Sequence, residues 1–463
     1  MSTKNVTAYQ DSIETFLSEW VRKNKVPGLS VAVVSGDEAT YTDAFGARNL
    51  STNESATPQT LFGIGSCSKS VTAVAILQLV EEDELDLTSP INSFVPHLEA
   101  APGSSVTVEE LLSHSSGLPS DGSLTALIAR LTGLREMGVP LSDDRDFHRH
   151  VQGSVEERRD PQAKEFFYCN TGFTLLGKVI ESVTGKSYST YVRENIFEPL
   201  EMDRSCFSRA AFESYDDRMQ AYFQNDDDLV EARLPVDPLL YAPGGVISCA
   251  DDLVNYLRFY LNGGSFEGKQ LLSQESMAQM FEPRSTRSTF IDGTERQYGL
   301  GWELQSFLGN RLVRHGGMMG TTTAAVAFFP DQNVGVSIAC NVSPPQHPSV
   351  ACHGVLSLLE GNDPKRSVPA LLLEEKLGSL EGEYKSYRGI VEATVERDGG
   401  TLEVTIQGFT SEFSISLFPN DLSGDIYEFE TVTDTGQRLA VKFEEGSDGS
   451  IDLFLRRWRL HAQ

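Results

Sequence analysis

The sequence predicts an α/β domain, an antiparallel sheet flanked by helices with an all-helical region beside it, followed by a small all-β barrel-like domain. Three observations predict it. An amphipathic helix near the N-terminus feeds a buried hairpin. A long, almost continuously apolar helix begins at Ser66. Beyond residue 382, short alternating runs are split by Gly, Asp and Asn turns.

The elements follow in order. Ile13, Phe16, Leu17, Trp20 and Val21 recur at helical spacing, and Pro27-Gly28 ends that helix. Residues 29–34 read as a buried strand, turned by Ser35-Gly36-Asp37 into a second strand at 40–45. Gly63-Ile64-Gly65 leads into a helix from Ser66 to about residue 82. A surface helix would show one apolar stripe. This one is apolar nearly all round, so its first turn is expected inside the domain. Thr107 reads as the N-cap of a short helix, closed by Ser113-His114-Ser115-Ser116-Gly117-Leu118-Pro119.

Residues 120–164 are polar and weakly periodic, an expected insertion near a site that sets specificity. Residues 171–183 return to helix, ended by Gly185. Leu253, Tyr256, Leu257 and Tyr260 form a further helical face closed by Gly263-Gly264. Strands are expected at 312–314, 324–329 and 334–340, the last two joined by Pro330-Asp331-Gln332-Asn333. The polar stretch Gly361-Asn362-Asp363-Pro364-Lys365-Arg366 marks a boundary. We read a first domain at 1–362, a linker at 363–370 and a β domain at 371–463, with strands at 390–395, 401–406, 413–417, 426–429, 439–443 and 451–455.

Composition excludes several function classes. The chain has 463 residues, 40% of them hydrophobic, enough for substantial cores without disulfides. Its formal charge of −28, from 38 basic and 66 acidic side chains, argues against nucleic acid or an anionic membrane as partner. No apolar stretch follows Lys4, and no run of eighteen apolar residues occurs, so neither an export signal nor a spanning helix is expected. Cysteines 67, 169, 206, 249, 340 and 352 lack C-x-x-C spacing and read as reduced packing residues of a cytoplasmic protein. No metal or cofactor is expected.

Three short constellations carry chemistry. Ser66 and Lys69 lie three apart at a helix start and share a face. A serine hydroxyl needs a base to become a nucleophile, and a buried lysine of lowered pKa can be that base. Tyr168-Cys169-Asn170 precedes another helix. Its phenol can relay a proton and its amide can orient a substrate carbonyl. His315-Gly316-Gly317 lies on a late strand, where glycines let backbone amides approach a ligand. The Ser66 and Met318 amides are the candidate oxyanion donors, and His315 would bind a substrate carboxylate or polarise Tyr168. Each constellation is commonplace alone.

In this order, S-x-x-K, Y-x-N and H-G-G resemble the serine β-lactamase and penicillin-binding-protein family. The closer resemblance is to its class C β-lactamase-like branch of esterases, D-aminopeptidases and D,D-peptidases. Supporting stretches include 108–119, 170–177, Ala242-Pro243-Gly244-Gly245-Val246 and Tyr298-Gly299-Leu300-Gly301-Trp302. The resemblance covers roughly residues 8–360 and implies a β-lactamase/transpeptidase-like fold. It also implies an acyl-enzyme on Ser66, proton handling by Lys69 and Tyr168, and substrate positioning by Asn170. His315 stands where many relatives have lysine, and His114 matches a structural landmark.

Two departures follow from the same comparison. His315 removes a permanent positive charge that recognises the carboxylate of β-lactam antibiotics, so β-lactamase activity is not expected. Asp160-Pro161-Gln162-Ala163-Lys164-Glu165 lacks the Pro-Gly turn usual in relatives. The resemblance implies hydrolysis of an ester or amide in a small molecule or short peptide. Acyl or peptidyl transfer through the same intermediate is the alternative, because relatives with an added lipocalin-like domain include peptide-cyclising thioesterases. A non-catalytic sensor is a third reading. The β domain would pack on the catalytic one, build a homo-oligomer, or restrict access to the cleft.

Overall fold

The computed structural model describes residues 6–463 except 37–38, 96–105, 121, 160–164, 226–227, 291–292, 408–411 and 423. The chain divides into two compact units, residues 1–288 with 295–361, and residues 362–463 with 289–294.

The first unit is built on a nine-stranded sheet. Its spatial order is Ser285–Thr289, Glu295–Tyr298, Glu303–Phe307, Asn310–Met318, Thr323–Phe329, Val334–Cys340, Gly28–Ser35, Ala39–Asn49 and Glu54–Ser55. The N-terminal strand therefore closes against the last strand of the unit, antiparallel, with Val31 opposite Ile338. Every residue of Gly28–Ser35, Thr323–Phe329 and Val334–Cys340 is buried. Side chains alternate between faces, so such strands must be covered on both sides. Helices Gln10–Lys23 and Pro348–Leu359 pack together so closely that a Cβ on Gly354 would lie 2.1 Å from the Phe16 ring. Helix Ala250–Leu261 also packs on the sheet, where Gly335 makes room for Leu257.

The apolar helix is Ser68–Glu81, buried from Ser68 to Leu79 as its composition requires, with Ser66 in the 3-10 turn Gly65–Cys67 just before it. Thr107 caps Val108–Leu112 in a capping box with Glu110. The stretch expected as an insertion carries two helices, Ser123–Thr132 and Asp144–Glu156. Leu124, Leu127, Phe147 and Val151 from these helices join the main core. Residues 160–164, the turn expected to differ from relatives, lie outside the described residues.

The second unit contains a closed barrel of eight strands in sequential order. Six match the alternating runs. The first, Gly382–Lys385, and the last, Trp458–Ala462, close the barrel by pairing Tyr384 with Ala462. The residues expected as a linker, 363–370, carry the short helix Pro364–Ser367 and the start of Pro369–Ser379. Each proline sits in the first turn of its helix, where no N–H is needed. Leu377 and Leu380 enter the barrel core beside Leu402, Phe429 and Phe443. No helix among the described residues is long and apolar enough to cross a membrane.

Candidate active site

The 3-10 turn that carries Ser66 is pressed against strand Asn310–Met318. Gly65 adopts φ +53°, and a Cβ there would lie 2.5 Å from the Met318 nitrogen. A Cβ on Gly317 would fall 1.9 Å from the Ile64 carbonyl oxygen and 2.9 Å from the Ser66 nitrogen. Both glycines are thus forced by backbone approach. That approach brings the Ser66 and Met318 amides to the same place, as an oxyanion hole requires. Beyond Arg314, which pairs with Glu303, the register places only Thr323–Phe329 beside residues 315–318. The Met318 side chain is 59% exposed at the rim.

Lys69 is fully buried, one helical turn beyond Ser66. Its Nζ reaches Ser66 Oγ at 3.0 Å, Asn170 Oδ1 at 2.8 Å and the Pro243 carbonyl oxygen at 2.7 Å. Burial lowers its pKa to about 7, with the Arg287 charge acting in the same direction. The amine also lies 4.8 Å from the centre of the Tyr168 ring and 5.2 Å from that of Phe173. Burial pushes the Tyr168 hydroxyl above the ordinary phenol range, opposed by the neighbouring Ser66 hydroxyl and by Arg287.

Asn170 opens helix Asn170–Thr184, and its backbone N–H donates to Ser120 Oγ at 3.3 Å. Cys169 caps that helix: its Sγ accepts from the Gly172 N–H at 3.3 Å. The thiol of Cys67 donates to the His315 carbonyl at 3.4 Å, and burial pushes its pKa up to about 12. The Cys67 thiol is therefore not presented as a thiolate nucleophile.

One expectation needs correction. His315 is buried, and both ring nitrogens are engaged. Nδ1–H donates to the Gly316 carbonyl at 2.7 Å, which leaves Nε2 to accept from the Tyr298 hydroxyl at 2.9 Å. No ring nitrogen is left for a substrate carboxylate, and burial lowers the pKa to about 3, so the ring is neutral. A Cβ on Gly316 would lie 2.8 Å from the His347 ring, so that ring fills the side-chain space of this glycine.

The residue that sequence reasoning missed is Arg287. Its guanidinium lies 5.4 Å from the Phe166 ring centre and 5.7 Å from that of Tyr168, and it pairs with Glu303. Glu303 also meets Arg296 Nε at 3.0 Å and Arg314 Nε at 3.3 Å. One buried carboxylate thus holds three guanidinium groups. Among the described residues, no cluster of His, Cys, Asp or Glu could hold a metal ion.

Comparison with known proteins bears on the family and the fold. Residues 5–357 match the Beta-lactamase family, and residues 364–461 match the Pab87 octamerisation domain. Protein flp of Staphylococcus aureus (strain MW2) is 26% identical over 354 residues, 74% of this chain and 65% of its own. The unguisins hydrolase ungD' of Aspergillus campestris is 27% identical over 350 residues, 72% of this chain and 61% of its own. The chain thus spans less than two thirds of the length of these curated relatives. The octameric penicillin-binding protein homologue from Pyrococcus abyssi superposes with a TM-score of 0.88 at 33% identity, covering 97% of this chain and 99% of that one. With residues 5–357 so matched, on a nine-stranded sheet flanked by helices, the chain belongs to the Beta-lactamase family.

Proposed function

We propose that the chain is a serine hydrolase that cleaves an ester or amide bond of a small molecule or short peptide through an acyl-Ser66 intermediate. The observation that carries this reading is the hydrogen bonding of Lys69. Asn170 Oδ1 and the Pro243 carbonyl can only accept, so the two protons of a neutral amine are committed to them. The remaining lone pair faces the Ser66 hydroxyl at 3.0 Å, the position of a general base. Tyr168, whose hydroxyl resists ionisation, stays a donor beside it.

In the proposed acylation, Ser66 Oγ forms a bond to the substrate carbonyl carbon and its proton passes to Lys69. The oxyanion lies between the Ser66 and Met318 amides. Collapse breaks the bond to the leaving group, which takes a proton through Tyr168, itself reprotonated from Lys69. Water then repeats the sequence on the acyl-enzyme and releases the acid. A fluorophosphonate or p-nitrophenyl ester, followed by mass spectrometry, tests the reading. An adduct on Ser66, absent in Ser66→Ala, is expected. A folded protein that gains no adduct would sink it.

We also infer that the chain assembles with copies of itself through its barrel. Support comes from the octamerisation-domain match, from the octameric relative, and from the exposed apolar Phe418, Ile426 and Val432 on barrel strands. Light scattering coupled to size exclusion tests this. A monomer at micromolar concentration would reject it.

A further inference from the structure

We infer that Arg287, anchored by Glu303, is a positioning residue of this site: it lies on the Tyr168 ring as a fixed cation and so favours the uncharged form of Lys69. The inference rests on the reading of Ser66 as nucleophile and Lys69 as its base.

The argument begins with one ring and two cations. Lys69 Nζ lies 4.8 Å from the centre of the Tyr168 ring and the Arg287 guanidinium 5.7 Å from it. The two are therefore no more than about 10.5 Å apart, close enough in a poorly screened interior to oppose each other. A guanidinium does not give up its proton, whereas an amine does. The lysine is therefore the group that must yield.

Against burial and Arg287 act the neighbouring thiols of Cys169 and Cys67, which push the Lys69 pKa back up. Burial holds the Cys67 thiol protonated. The rings of His114 and His315 are held neutral by burial. The hydroxyls of Tyr168 and Tyr298 are pushed above the usual phenol range. The nearby carboxylate is Glu303, and it is outnumbered by Arg287, Arg296 and Arg314, so the cluster keeps two surplus positive charges. Among the described residues Arg287 hydrogen-bonds only to Glu303, through Nη1. That bond and the Phe166 ring at 5.4 Å fix where its charge sits. The side chain keeps 30% exposure, so replacing it need not open the core.

The test follows the rate of fluorophosphonate labelling of Ser66 in the full-length protein, by mass spectrometry, from pH 5 to 9. In the parent the rate rises as Lys69 loses its proton. Arg287→Gln is expected to move that rise upward by about one pH unit. At pH 6 this means labelling roughly tenfold slower, with rates converging toward pH 9. Arg287→Lys, which keeps a charge, is expected to hold the rise near its parental position. A rise in Arg287→Gln that superimposes on the parent's overturns the inference, as does a uniform loss at all pH values. If Ser66 of the parent is not labelled at all, the hydrolase reading itself fails first.

Discussion

The backbone N–H of Cys169 donates to Nδ1 of His114 at 3.1 Å, and this bond ties the segment bearing Tyr168 and Asn170 to a second loop. His114 sits at φ +54°, its carbonyl accepts from the Phe167 N–H at 2.7 Å, and its ring lies tilted against that of Tyr168, 4.2 Å between centres. Replacing it with phenylalanine keeps the packing but leaves the Cys169 N–H buried without an acceptor, a loss of about 1–3 kcal/mol. His114→Phe should therefore unfold at lower urea and show a fall in kcat larger than any rise in KM. Parental kcat in a measurably destabilised variant would mean that His114 braces the fold and not the site.

The lowered Lys69 pKa makes a prediction about pH. With Lys69 as base, kcat/KM for a neutral ester should rise through about pH 7, as the amine loses its proton. Tyr168, raised by burial, should add no second limb below pH 10. The sign for stability follows from the same depression. The unfolded chain binds the Lys69 proton more tightly, so this residue favours folding less as pH falls from about 10 toward 7. A rate profile that rises only near pH 10 would show an ordinary lysine and dismiss it as the base.

Much of the fold and of the candidate site was legible in the sequence, for identifiable reasons. An apolar helix starting at Ser66 announces that Lys69 is buried, and burial is what lowers its pKa. Tyr168 and Asn170 were legible as a pair because they stand at the start of a helix that the pattern already marks, whereas the capping role of Cys169 between them was not. Arg287 was not. Ser285-Thr286-Arg287-Ser288-Thr289 is an ordinary polar edge strand, and nothing local says that Glu303, 16 residues on, will gather three arginines. Pro364 and Pro369 read as linker punctuation although each opens a helix. The first barrel strand, Gly-Glu-Tyr-Lys, has one apolar residue and too short a pattern to register.

The two glycines of the H-G-G stretch should respond unequally to alanine. A Cβ on Gly317 meets backbone, the Ile64 carbonyl oxygen at 1.9 Å, which cannot move without displacing Ser66. A Cβ on Gly316 meets the His347 ring at 2.8 Å, and that ring can turn aside. Gly317→Ala should abolish Ser66 labelling even where protein folds, while Gly316→Ala should keep labelling and lose about 1–3 kcal/mol to overpacking. Equal labelling of the two variants would contradict the close approach of turn and strand.

Glu303 offers a test of the charge cluster through stability. Burial alone would raise its carboxyl, yet Arg314, Arg296 and Arg287 together hold it down at about 2. A carboxylate whose folded pKa lies below its unfolded value contributes stability in full above the unfolded value, near 4.5, and loses it as pH falls through about 2. Glu303→Gln leaves three guanidinium groups facing one another without an anion. Breaking a buried ionic group in this way costs about 3–5 kcal/mol. Urea unfolding at neutral pH should show that loss. A pH series from 5 to 2 should show a shallower decline in the variant than in the parent, because its share of the acid-sensitive stability is already gone. A variant within 1 kcal/mol of the parent at neutral pH, about the worth of an exposed ion pair, would show instead that solvent compensates the arginines, and Arg287 would then lose the anchor on which its place over Tyr168 depends.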